Sequence, residues 1–356
     1  MHKVMIHPAE YHDCSEAINL ALSLFPLKIK GKKVLVKPNS INGSEPDQGA
    51  VTHPSILETL LKKLEQSMAA EIIVGDNPGA MEYGDNEETF RRNGLMEAAG
   101  KYYKNIGSEA IDVEVSSQFF NHLSVSKDVL DADIFISLPK FKTHGLTIIS
   151  GAIKNSYGIL PGAQKGNGHR IAGNPARFHD LIVDVFGLRV PDLFIVDAVM
   201  GMEGNGPVSK DLRYIGQVMA SDNAVALDAT IARMMGLNPA NLGFLEYAKN
   251  QGYGDYANEA VEIIGDFTII PDFKLPPSAE GKGRELPPDF KEMTQRLTSM
   301  RPSADQNLCL GCGICVEKCP VSALSMINDL PNVTPEECIV CFCCQENCPE
   351  RAIQLR

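Results

Sequence analysis

Cys309-Leu310-Gly311-Cys312-Gly313-Ile314-Cys315-Val316-Glu317-Lys318-Cys319-Pro320 is answered 29 residues later by Cys338-Ile339-Val340-Cys341-Phe342-Cys343-Cys344-Gln345-Glu346-Asn347-Cys348-Pro349. Each half reads C-x-x-C-x-x-C-x-x-x-C-P. The match continues past the prolines, where Ala323-Leu324 answers Ala352-Ile353, so the segment is an internal repeat. Three cysteines spaced by two residues let a tight loop wrap one face of an iron–sulfur cube. The fourth has passed into the next turn and faces the other way, so it ligates the other cluster. The spacing therefore assigns Cys309, Cys312, Cys315 and Cys348 to one [4Fe–4S] cluster, and Cys338, Cys341, Cys344 and Cys319 to a second. Pro320 and Pro349 turn the chain just after each crossing ligand.

Residues 304–356 resemble the bacterial two-cluster ferredoxin family, which implies a small α+β module that moves electrons singly. Zinc binding is the competing reading of cysteine pairs, but the full motif occurring twice argues against it. Cys343 falls between ligand positions and reads as a small packed residue or a thiol near the cluster rather than as a ligand. Gly311 and Gly313 of the first loop are replaced by Val340 and Phe342 in the second, so the two clusters are expected to differ in solvation.

Nine of the ten cysteines lie in this tail, and only Cys14 lies elsewhere. Such clustering, with no apolar leader at Met1–Cys14, points to metal ligation in a reducing compartment rather than to a disulfide scaffold. A cytoplasmic, anaerobic setting is the expectation. The 356 residues carry a net charge of −12, with 44% hydrophobic and 22% charged residues. That balance is globular, disfavours a nucleic-acid partner and offers no run long enough for a membrane span.

Upstream, short apolar runs alternate with amphipathic stretches. Val34–Val36, Ile72–Val74, Ile134–Leu138, Leu193–Val196 and Ile215–Ala220 read as strands. Residues 54–67, 87–99, 175–188 and 223–235 read as helices. The alternation implies an α/β fold with a mostly parallel sheet covered by helices on both faces. Each strand runs into polar residues: Lys37-Pro38-Asn39, Asp76-Asn77-Pro78-Gly79, Lys140-Phe141-Lys142-Thr143-His144, Asp197, and Ser221-Asp222-Asn223. Ligands of open α/β sheets bind beyond the carboxyl ends of strands, so a parallel sheet would bring these groups to one edge.

Lysine is not a turn former, and three basic groups within Lys140–His144 suggest an anion site. Ser150–Gly158 starts with small residues and could open a helix whose N-terminus attracts an anion. Residues 158–173, with Lys165, His169 and Arg170, read as a loop over the site. No complete phosphate-loop or dinucleotide fingerprint occurs, so neither ATP nor NAD is expected. His53 reads as a helix-start residue, and His179 and Cys14 as packed side chains.

Lys37-Pro38-Asn39, Leu138-Pro139-Lys140-x-Lys142-Thr143-His144, Lys154-Asn155, Met202-Glu203-Gly204-Asn205-Gly206-Pro207 and Ala226-x-Asp228-Ala229 together resemble the domain-of-unknown-function-362 family. The resemblance covers residues 4–270 and implies the architecture, with the ferredoxin tail as a recurrent companion. It does not imply a reaction.

The sequence pattern divides the chain into an α/β domain over 1–275, a proline-bearing linker over 276–303 with one short helix near 290–297, and the two-cluster module over 304–356. The expected activity is an iron–sulfur reductase. Electrons from a low-potential partner protein would reach a small anionic or carbonyl-bearing substrate. Lys140, Lys142, His144, Lys154, His169 and Glu203 are the catalytic candidates. Lys37, Asn39, Asn155 and Asp222 are the substrate-binding candidates. The alternatives are an electron-transfer subunit that docks on a partner enzyme and a metallocofactor assembly factor. A flavin or further metal is compatible with the sequence, but no motif specifies one.

Overall fold

The structure is a computed structural model that describes residues 1–78, 86–279 and 300–355. The helix expected near 290–297 lies outside these residues. The strands of the large region are β1 His2–Pro8, β2 Lys33–Pro38, β3 Glu71–Val74, β4 Ala110–Glu114, β5 His122–Ser126, β6 Ile134–Leu138, β7 Lys140–His144, β8 Ile148–Ile149, β9 Leu193–Met202, β10 Leu212–Ser221 and β11 Val261–Gly265. Its helices are α1 Ser15–Leu24, α2 Pro54–Gln66, α3 Asn86–Arg92, α4 Leu95–Ala99, α5 Lys127–Asp131, α6 Gly151–Asn155, α7 Gln164–Ala172, α8 Pro175–Leu188, α9 Ala224–Met234 and α10 Gly243–Asn250.

Nine strands form one sheet in the order β11-β1-β10-β9-β6-β2-β3, with β7 and β8 attached beside β9. The run β3-β2-β6-β9 is parallel throughout, and so are the β7–β9 and β1–β11 pairs. Strand side chains alternate between faces. Val34, Val36, Ile134 and Ile136 join the apolar cluster of α1 and α2, while Leu35 and Phe135 join that of α8, α9 and α10. The sheet is thus mostly parallel and covered on both faces.

Three local expectations are revised. β10 runs antiparallel to both of its neighbours, β1 and β9. Its carboxyl end at Ser221-Asp222-Asn223 therefore sits at the edge opposite the other strand ends. Asp222 is exposed there, and Asn223 rather than Asp222 caps α9 by accepting from Ala226 N at 2.9 Å. The helix read over 87–99 is two helices, because Gly94 between them adopts φ 70°, which no continuous right-handed helix contains. The loop read over 158–173 contains α7. Its Gly168 answers a close approach: a β-carbon there would meet the Tyr157 hydroxyl at 2.3 Å.

The C-terminal module has β12 Pro302–Ala304, α11 Ile314–Glu317, β13 Leu324–Ile327, β14 Leu330–Val333, α12 Cys343–Glu346 and β15 Ile353–Leu355. The sequence repeat is also a conformational one. Gly311 and Gly313 take φ 67° and 76°, and their counterparts Val340 and Phe342 take 54° and 67°. The halves also cross-bond alike, with Asp305 N donating to Ala352 O and Thr334 N to Ala323 O, both at 2.8 Å. The left-handed conformation costs a non-glycine residue about 1–2 kcal/mol. At Val340 and Phe342 that cost is offset by burial, since both are only 2% exposed within the large region's apolar cluster. Burying a side chain of this size contributes about 2–3 kcal/mol. The second repeat is therefore the docking half of the module.

Candidate functional site

The site lies at the carboxyl edge of the parallel strands, under the docked module. Lys37 follows Leu35 by two residues, and Ser137 follows Phe135 likewise, so both leave the sheet on the α8–α9 face. Lys37 Nζ pairs with Asp76 Oδ1 at 2.6 Å and donates to Asn155 Oδ1 at 3.3 Å. Asn39 Nδ2 donates to the same Asn155 oxygen at 2.9 Å, and Asn155 Nδ2 donates to Ser137 Oγ at 2.9 Å. Three of the four expected binding residues thus form one buried network. Gly158 makes it fit, since a β-carbon there would stand 2.2 Å from Asp76 Oδ1.

Beside this network is a chamber of about 110 Å³. The large region supplies Lys37, Lys142, His144, Lys154, Lys165 and His169 to its walls, and the module supplies Lys318, Cys343, Glu346 and Asn347. Lys142 Nζ donates to Ala50 O at 2.6 Å, and Lys165 Nζ donates to Asn77 O at 2.5 Å. Lys154 Nζ lies 5.0 Å from the Tyr157 ring centre and 5.7 Å from that of Phe178. Among the described residues this amine has no oxygen acceptor. His169 stacks on Phe178 at 4.2 Å, and its buried Nδ1 has no hydrogen-bond partner among the described residues.

His144 bridges the two parts of the chain. Its Nδ1 accepts from Leu146 N at 3.0 Å, and its Nε2 lies 3.1 Å from Glu346 Oε1 of the module. Burial pushes His144 down to about 4 and His169 down to about 3, so both rings are neutral near pH 7. Burial and the nearby Lys154 amine lower Lys142 to about 7, and burial lowers Lys165 to about 8. Lys154 is lowered by burial, against the opposing pull of Glu346. Burial would raise Glu346, but His144, Lys154 and His169 outweigh it and hold the carboxylate at about 2. Among the described residues the chamber therefore offers one amine without an oxygen acceptor beside two neutral imidazoles, an arrangement suited to a small anion or a polarised carbonyl oxygen.

Three candidates lie apart from the chamber. Lys140 pairs with Asp197 at 2.7 Å, both fully buried, and donates to the half-buried Tyr11 Oη at 2.8 Å. Lys140 and Lys142 have like parity on β7, but the register with β9 shifts between them, and only Lys142 reaches the chamber. Glu203 accepts from Arg213 Nε at 3.0 Å and from Lys274 N at 3.2 Å. Asp222 is at the opposite edge, as described above. The N-terminus of α6 is not open to a ligand either. Asp228 already accepts from Ala152 N at 2.6 Å and Ile153 N at 3.0 Å, which explains the Asp of the Ala226-x-Asp228-Ala229 motif. Burial raises this carboxyl to about 7.

Sequence reasoning missed Glu346 and Lys318 as chamber residues. Both sit inside the cysteine motifs, where nothing marks a non-ligand position as facing another domain. His53 caps α2 through Nδ1, which accepts from Ser55 N at 3.2 Å, and Cys14 packs against Thr59.

In the module, Cys309, Cys312, Cys315 and Cys348 line one cavity, together with Gly313 and Pro349. Burial and then the thiols of Cys341, Cys338, Cys315 and Cys319 push the Cys344 thiol well up. Thiols gathered as in that cavity suit iron–sulfur ligation. Ala323 N donates to Cys319 Sγ and Ala352 N to Cys348 Sγ, each at 3.2 Å, the backbone support such sulfurs use.

Known families match both parts of the chain. The family described as a domain of unknown function (DUF362) matches residues 34–233, and a 4Fe-4S dicluster domain matches residues 301–349. The dicluster match supports iron–sulfur electron transfer. The chain is 30% identical over 264 residues to the Thylakoid-associated protein sll1697 of Synechocystis sp., covering 69% of this chain and 78% of that protein. The lactate racemase apoprotein from Thermoanaerobacterium thermosaccharolyticum aligns with a TM-score of 0.39 at 13% identity. That alignment covers 62% of this chain and spans about half, 54%, of the racemase chain. No helix among the described residues is long and apolar enough to cross a membrane.

Proposed function

We propose that this chain, which belongs to the DUF362 family, is an iron–sulfur reductase acting on a small anionic or carbonyl-bearing substrate held in the lysine chamber. One observation carries the reading. Cys343, Glu346 and Asn347, which stand among the proposed ligands Cys341, Cys344 and Cys348, form a wall of the same chamber that Lys142, Lys154 and Lys165 line. Two [4Fe–4S] clusters, when bound, would supply electrons one at a time.

The protein's own residues would do the rest. Lys154, the amine without an oxygen partner, binds the substrate oxygen and stabilises the charge that develops on it during reduction. Lys142 and Lys165 are tied to carbonyls and hold the positive wall in place. Each can also deliver a proton near neutral pH, since the two are lowered to about 7 and about 8. His169 faces the chamber with an open ring nitrogen and orients a second oxygen. Docking of the module excludes bulk water. Lys140 and Glu203 have no part in this reading.

The test is anaerobic. The protein is reduced with dithionite, freed of excess, and mixed with small oxoacids and oxoanions while the visible absorption is followed. Recovery of the oxidised spectrum with at least one of them, lost in Lys154→Met at unchanged iron content, supports the reductase. A parent protein that no small molecule reoxidises above the blank would leave the electron-transfer subunit as the better reading.

A further inference from the structure

The two halves of the module share one backbone form but not one environment. In the second half, Val340 and Phe342 are buried against the large region, and Ile339 beside them is half-buried. Their counterparts by the 29-residue offset are Leu310, Gly311 and Gly313. Leu310 is 74% exposed, and Cys312 is exposed beside it. The tip of the β13–β14 hairpin stands next to this loop, since a β-carbon at Gly311 would lie 3.1 Å from Asp329. That hairpin adds Ile327, which is 52% exposed. Leu310 and Glu350 line the same cavity as Cys309, Cys312, Cys315 and Cys348. Asp329 and Glu350 are exposed, and neither has a basic partner among the described residues.

An apolar loop at this place in the motif is already a docking element once in this protein, through Phe342. In the first half the same loop is exposed, carries apolar Leu310 beside an exposed proposed ligand, and is edged by two carboxylates without a basic partner among the described residues. Exposed apolar side chains with a charged rim mark protein-binding surfaces. We infer that Leu310–Gly313, with Ile327, Asp329 and Glu350, is the docking surface for a small electron-transfer protein. That partner would present an apolar patch ringed by lysine or arginine beside its own redox group. One electron at a time would pass between the partner's group and the cluster proposed at Cys309, Cys312, Cys315 and Cys348, one being oxidised as the other is reduced. The opposite half of the module faces the chamber, so electrons would enter and leave on different sides. This inference rests on the electron-transfer reading but not on the chamber having a substrate.

Cytochrome c, a basic protein with an exposed haem edge, serves as the probe. The cluster-loaded protein is coupled to it with a zero-length carbodiimide, and the carboxylates joined to its lysines are mapped by mass spectrometry. Separately, the dithionite-reduced protein is mixed with oxidised cytochrome c and haem reduction is followed at several salt concentrations. Cross-links at Asp329 or Glu350 are expected. Leu310→Lys and Ile327→Lys should slow haem reduction about tenfold at low salt, whereas Ile269→Lys, an exposed position on the large region, should not. Should Leu310→Lys lose iron, Ile327→Lys decides alone, since its hairpin carries no cysteine. Cross-links confined to the large region, or an equal slowing by Ile269→Lys, overturn the proposal. The haem reaction needs no small substrate, so it stands or falls apart from the reductase reading.

Discussion

The ring of Phe342 lies so close to the backbone of Gly145 that a β-carbon on residue 145 would stand 2.2 Å from it. One contact thus joins a cysteine-motif loop to the segment just after His144. Gly145→Val should push the module off its seat, at about 1–3 kcal/mol for overpacking. Phe342→Ala should cost about 3–5 kcal/mol, through lost burial at a position whose left-handed backbone then lacks its compensation. Urea unfolding and the rate of proteolytic separation of module from large region measure both. Two variants as resistant as the parent would show that this contact does not seat the module.

Lys140 and Lys154 should behave oppositely. Removing Lys140 as Lys140→Met strands the Asp197 carboxylate in a buried site, at about 3–5 kcal/mol. Lys154→Met replaces a half-buried amine, without an oxygen acceptor among the described residues, with an apolar chain over two rings and should leave stability near the parent's, while abolishing small-molecule reoxidation. Parallel denaturation and reoxidation measurements separate the two. Equal stability losses would contradict the contrast.

Acid should destabilise the fold in a way traceable to two histidines. Between their folded values, about 4 for His144 and about 3 for His169, and the ordinary 6.5, each ring is neutral when folded and charged when unfolded. The unfolded chain then binds more protons, so stability falls as pH drops below 6.5, by up to about 1.4 kcal/mol per pH unit for each ring. Asp228 acts the other way between 3.8 and about 7, because there the folded chain keeps its proton. Two histidines against this one carboxyl leave a net loss from these three groups. His169→Phe should flatten the slope between pH 6.5 and 5 in urea titrations. An unchanged slope would mean that His169 is not neutral in the folded state.

Cross-ligation has a spectroscopic consequence. Cys348→Ser should perturb the same electron paramagnetic resonance signal as Cys312→Ser, and Cys319→Ser the same one as Cys341→Ser. Cys343→Ser should leave iron content at the parent's level. If Cys348→Ser instead shares its signal with Cys341→Ser, the crossing assignment fails.

Much of the scaffold is legible in the chain because buried parallel strands must be continuous apolar runs, and Val34–Val36, Ile72–Val74 and Ile134–Leu138 are such runs. The direction of β10 is not legible, since an apolar run reads the same whichever way it crosses the sheet. That alone removed Asp222 from the site. α7 hid behind Gly166 and Gly168, which depress helix propensity but are accepted where a ring packs closely. Lys140 and Lys142 look equivalent two residues apart on one strand, and only the register shift against β9 sends them to different places.

By itself the sequence determined the ligand chemistry of the tail and the repeat that organises it, because cluster ligation needs particular residues at particular spacings within one local segment. It also determined the class of the large region, through the periodicity of its apolar residues. Which lysine is left without an acceptor, that Glu346 meets His144 across 3.1 Å, and which half of the repeat faces inward were decided only by the tertiary structure. Those are relations between residues roughly 200 positions apart in the chain. They arise when burial of Val340 and Phe342 seats one cysteine loop on the sheet edge, and no local pattern encodes where a docked surface will land.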